Sequence, residues 1–122
     1  MSDPSLPEEV RRLIDGALAS MDHVEVLFRI ARQGDATAGW LARDAHIEPS
    51  HVAKVLRDLE HAKLIVSDGE SYHLTQNPRD RAAVEEFAAT YNSRPVTLIR
   101  AIYARPSPLR SFADAFRVRR ED

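Results

Sequence analysis

Residues 37–75 constrain the fold more than any other stretch, because three local signals follow one another there with almost no spare chain between them. Thr37 is a good N-cap for a short helix from Ala38 to about Ala45, with Leu41 and Ala42 turned inward. Pro49 fits the first position of a second helix, and it pushes the preceding Glu48 into the extended backbone that an N-cap residue adopts. Only a tight turn separates the two. The second helix spans roughly Pro49 to Ala62. Its Val52, Val55, Leu56 and Leu59 recur at spacings of three and four and form a buried stripe, leaving Ser50, His51, Lys54, Arg57, Asp58 and His61 facing out. Directly after it, LIVSDGESYHLT alternates apolar and polar residues about Asp68-Gly69, the signal of a short β-hairpin with a two-residue type I′ turn.

Helices flank this unit on both sides. Upstream, one is expected from about Pro7 to Ser20, with Glu8 and Glu9 in its first turn and Val10, Leu13, Ile14, Ala17 and Leu18 as its apolar stripe. Asp22 and Glu25 form a capping-box-like start for the next helix, which Gly34 ends, although one bent helix through Ser20 satisfies the same residues. Downstream, Asn77-Pro78 breaks the chain and RDRAAVEEFAATYN reads as a helix with Ala83, Val84, Phe87, Ala88 and Tyr91 on one side. Arg94-Pro95 starts another helix. Pro106 and Pro108 precede a last short one, in which Phe112 and Phe116 form an (i, i+4) aromatic pair.

Helix, short helix, turn, longer helix and hairpin, in that order, make a winged helix-turn-helix. The fold class expected is therefore mostly α, a winged helix-turn-helix with a short β-hairpin wing and flanking N- and C-terminal helices. The stretch resembles winged-helix bacterial transcriptional regulators of the MarR and ArsR type, in which a WLA-like helix packs under a recognition helix of the form P-S-x-V-x-x-x-L-x-x-L-E. Here those residues are Trp40, Leu41 and Ala42, then Pro49, Ser50, Val52, Leu56, Leu59, Glu60, Leu64 and Ile65. The match covers under half of the chain, and the C-terminal third is matched to no family.

The resemblance implies a regulator that binds double-stranded DNA through the helix at 49–62, with Thr37, Ser50, His51, Lys54 and Arg57 as the contacting residues. Ser50 and His51 would meet phosphate or a base edge, while Lys54 and Arg57 lie one turn apart where the major groove presents acceptors. The same polar residues also suit a helix that simply turns them to solvent. Two departures stand out. Lys63 occupies the place before the wing where such regulators usually have Gly, and the wing tip carries Asp68 and Glu70, with no Lys or Arg, so phosphate should repel it. A second reading follows from those acids: a winged-helix module that docks on a protein partner of the transcription or signalling machinery without touching DNA.

The charge count is one that any DNA reading must survive. The net charge is −2 overall; residues 1–33 carry six acids and four bases, 34–75 seven and four, and 76–122 six and nine, all nine of them Arg. Arg110, Arg117, Arg119 and Arg120 make a basic end able to grip phosphate, pair with acids of a partner, or stay solvated. Residues 1–20 are read as a tip and flanking helix, 21–75 as the winged helix-turn-helix, and 76–122 as a helical extension. That extension either dimerises the chain, the favoured expectation, or wraps the same core.

No Cys is present, which excludes disulfides, iron-sulfur clusters and thiolate zinc sites and fits a cytoplasmic location. No stretch approaches the roughly 18 apolar residues of a membrane span, and no secretory h-region opens the chain. The five His (His23, His46, His51, His61, His73) never pair at (i, i+4), and neither a G-x-S-x-G nor a glycine-rich phosphate loop occurs. No metal, no cofactor and no enzymatic activity are expected. Trp40 reads as packing, with a ligand pocket the rarer use of a lone Trp on a short helix.

Overall fold

Ser20, rather than Asp22, divides the first two helices. In the computed structural model, which describes residues 6–104, α1 (Glu8–Gly16) stops four residues before the expected end, and α2 (Met21–Gln33) starts where Ser20 caps it by accepting the His23 N–H. Ala17 and Leu18 continue the apolar spacing without continuing the helix. Leu18 is fully buried although it lies in the connection, so the periodicity there marks burial and not helical turns. Gly34 ends α2 at φ 88°, a conformation that costs glycine nothing.

The central unit follows the sequence closely. Thr37 caps α3 (Ala38–Ala45) by accepting the Trp40 N–H at 3.1 Å, and Glu48 caps α4 (Pro49–His61) by accepting the Ser50 N–H. Val52, Val55, Leu56 and Leu59 are all buried, packing α4 against α2 and α3. Both helices of this pair end in a left-handed residue that is not glycine: His46 at φ 58° and Lys63 at φ 65°. At Lys63 the geometry is a Schellman ending, with Leu64 N–H bonded to Leu59 O and Lys63 N–H to Glu60 O. The place usually held by Gly thus keeps its usual conformation, and the Lys carries a strain of about 1 kcal/mol.

The hairpin forms, but with its tip one residue later than expected. β1 (Ile65–Ser67) pairs antiparallel with β2 (Tyr72–Leu74), placing Ile65 opposite Leu74 and Ser67 opposite Tyr72. Gly69 and Glu70 therefore form the tip. Only Gly69, at φ 104°, has a positive φ there, so the type I′ turn at Asp68-Gly69 is corrected to a loop with glycine in first place. Asp68 serves instead as a bracket, its Oδ1 accepting the Glu70 and Ser71 N–H groups at 3.0 and 2.9 Å. β2 is also bonded on its other side, where Tyr72 and Ala36 exchange backbone hydrogen bonds of 2.8 and 3.0 Å.

Asn77 caps α5 (Pro78–Ser93), accepting the Arg79 and Asp80 N–H groups, and α6 (Pro95–Ala104) follows after Arg94. One hydrophobic core takes in Leu6, Val10 and Leu13 from the N-terminal side, the stripes of α2 and α4, and Phe87, Leu98 and Ile102 from α5 and α6. In the described residues, α5 and α6 thus contribute side chains to that core. α5 also lies along α1, tied by Arg12 to Asp80 and by Arg79 to Glu9, each at 3.1 Å, while Arg12 also bonds Glu9 within α1 at 3.0 Å. The bonds that Glu9 accepts from Arg12, foremost, and from Arg79 hold its carboxyl down at about 2. The last helix expected from the sequence, with Phe112, Phe116 and the Arg-rich end, falls outside the described residues.

Candidate nucleic-acid interface

The packing of α4 fixes what it offers to solvent. With Val52, Val55, Leu56 and Leu59 facing the core, Ser50, Ala53, Lys54, Arg57, Glu60 and His61 are exposed along the opposite side. Ser50, Lys54 and Arg57 therefore share one stripe. His51 sits at its margin and is half-buried, while Thr37 stands apart at the exposed start of α3.

Most of these groups are already engaged by acids. The Ser50 hydroxyl donates to Glu48 Oε1 at 2.9 Å, and these Ser50 bonds, that from the side chain first, hold the Glu48 carboxyl below its ordinary value. His51 Nε2 lies 2.9 Å from Asp22 Oδ2, and Lys54 Nζ lies 3.3 Å from Asp58 Oδ2. Thr37 is occupied by its cap. Arg57 alone of the five has no hydrogen bond or ion pair to a described residue, so its guanidinium is the freest cation on α4.

Asp58 is not the solvated surface group that helical spacing suggests. Its Oδ2 also lies 2.9 Å from Nε2 of His23, a side chain only 5% exposed, and His23 Nδ1 lies 2.8 Å from the Ser20 hydroxyl. Burial pushes the His23 pKa below its ordinary value, against the opposing pull of Asp58. The neutral ring fits both contacts if Nε2 carries the proton and donates to Asp58 while Nδ1 accepts from Ser20. Desolvation would raise the Asp58 pKa, but the bonds from His23 and Lys54 outweigh it and hold the carboxyl below its usual range. Sequence reading considers His23 only in setting aside a metal site, and this link is missed there. The signal available was Ser20 three residues before His23, together with the (i, i+4) pair Lys54 and Asp58.

The buried imidazole makes stability depend on pH with a definite sign. His23 has a folded pKa below its unfolded value of about 6.5, so the unfolded chain binds more protons in acid and stability falls as pH drops below about 6.5. It levels off once the folded pKa is passed. Asp58 loses its contribution only in a separate window below about pH 3.9. His23→Gln, which keeps a donor for Asp58 and cannot be protonated, should flatten the loss between about pH 7.5 and 5.5 in urea unfolding. A slope equal to the parent's would place the titration elsewhere.

Trp40 is half-buried and packs on the core. Among the described residues, no helix is long and apolar enough to cross a membrane.

The crystal structure of a MarR family protein from Mycobacterium tuberculosis is similar to this chain at 20% sequence identity, covering 93% of this chain and 86% of that one with a TM-score of 0.52. The likeness shows the fold: a mostly helical winged helix-turn-helix with a two-stranded wing and helices on both flanks. No family model matches the chain, and no curated protein does.

Proposed function

We propose that the chain is a DNA-binding transcriptional regulator of winged-helix type, reading double-stranded DNA with α4. The observation that carries this is the rotation of α4: its buried stripe turns Ser50, Lys54 and Arg57 outward together, on a fold similar to that of a MarR family protein. Arg57 is the base-reading candidate, Lys54 a phosphate contact, His51 and Ser50 the contacts at the helix start, and Thr37 a phosphate contact from α3. The chain works in the cytoplasm without enzymatic activity. Its segments 1–20 and 76–122 serve as flanks to the winged unit at 21–75, and it acts as a homodimer. Val96, 62% exposed on α6, supplies apolar surface for that association.

The test is retention on genomic DNA fragments at two salt concentrations, since phosphate contacts must weaken as salt rises. Lys54→Ala should weaken binding to all sequences and lower the salt slope by about one. Arg57→Ala should cost about 1–3 kcal/mol and relax preference at one position. Binding that is undetectable at low salt, or indifferent to both changes, rejects this reading. The acids at the wing tip, Asp68 and Glu70, then favour the second one, a module docking on a protein partner, and Asp68→Asn with Glu70→Gln should abolish that docking.

A further inference from the structure

Lys54 and His23 meet on one oxygen. Asp58 Oδ2 is 2.9 Å from the buried ring nitrogen and 3.3 Å from the Lys54 ammonium, and the two partners differ in freedom. His23 is held on its far side by Ser20 at 2.8 Å and is almost wholly enclosed, whereas the Lys54 side chain is 60% exposed. Rotating Asp58 away would leave a buried N–H without an acceptor, which is costly, while rotating Lys54 away loses only an exposed ion pair. Asp58 is thus the fixed partner and Lys54 the movable one.

Direction matters as well as distance. Side chains on a helix lean toward its N-terminus, and it is the N-terminal part of a recognition helix that enters the groove. Pairing with the residue four places later draws the Lys54 ammonium the other way, toward the C-terminal end of α4. We propose that Asp58 is a positioning residue of the DNA-reading face: fixed by the buried His23, it holds Lys54 back along α4 and competes with phosphate for its charge. This rests on the reading of α4 as the DNA-contacting helix. It makes affinity for DNA lower than the exposed residues alone would give, and it places the control of that affinity in an acid that need not touch the duplex.

The chain has only two lysines, Lys54 and Lys63, so acylation of each amine can be followed by mass spectrometry with Lys63 as internal standard. Asp58→Asn keeps an acceptor for the His23 N–H but removes the charge. It should raise the acylation rate at Lys54 about two- to five-fold relative to Lys63, the range an exposed ion pair allows. On genomic fragments at low salt it should tighten binding by about five-fold and steepen the salt slope by about one. In the Lys54→Gln background the steepening should vanish and the gain in affinity should shrink, because the ammonium that Asp58 restrains is gone. Should Asp58→Asn alone fail to fold, the pair His23→Gln with Asp58→Asn, two amides able to bond each other, carries the same measurements. Unchanged acylation at Lys54 would overturn the restraint whatever happens on DNA. A gain and steeper slope that persist fully without Lys54 would show that Asp58 only repels phosphate, which also overturns it. Raised acylation with no DNA binding by any of the proteins would leave the ion pair real but remove its role at DNA, and it would reject α4 as a reader at the same time.

Discussion

Phe87→Ala is expected to destabilise the protein by about 3–5 kcal/mol, the range for truncating a fully buried aromatic. Phe87 has no exposed surface although it belongs to a helix outside the helix-turn-helix. Its ring meets the edge of Phe28 on α2 at 5.7 Å, and Phe28 in turn lies 5.6 Å from Tyr91, so α5 is joined to the central unit by a run of aromatic contacts. Alanine at 87 would leave a cavity between α2 and α5 that neither helix can close without moving the other. Since a domain of this size has only about 5–15 kcal/mol in all, the loss should be plain in urea unfolding and should lower Tm by on the order of 10 °C or more. A cost under about 1 kcal/mol would mean that α5 is an appendage whose removal the central unit hardly feels.

Leu56→Ala comes next in size, at about 2–5 kcal/mol. Leu56 is 1% exposed at the middle of the buried stripe of α4, between Val52 and Leu59, which are both fully enclosed. Its neighbour Arg57 lies about 100° further round the helix and is exposed, so Arg57→Ala should change stability by no more than about 0.5 kcal/mol. The contrast between these adjacent positions measures the rotation of α4 directly. A Leu56→Ala cost in the range expected of Arg57 would turn the helix by about 100° and take the outward-facing stripe with it.

The parts of the fold that were legible in the sequence are those set by neighbours in the chain. Thr37 and Pro49 mark two helix starts because a cap and a fixed φ act within one turn, and the α4 stripe is readable because burial repeats with the helix period. What escaped depends on partners far away. The D-G pair fits either of two tip positions, and the choice falls to Ile65 and Leu74, both buried and paired across the hairpin. The pairing at Ala36 is a single residue with no periodicity to show it. At the candidate interface the residue types could be named, but their engagements could not. Asp58 has the spacing of an outward residue, and only the approach of α2 brings His23, from another helix, to its oxygen.

The two hydrogen bonds between Ala36 and Tyr72 also have a kinetic consequence. All of α3, α4 and β1 lies between those residues, so the pair closes a long loop that returns only two bonds for the chain freedom it removes. Local helix formation is fast, but a non-local closure of this kind gains nothing until the segment inside it is already compact. The wing should therefore dock late, onto helices already packed against one another.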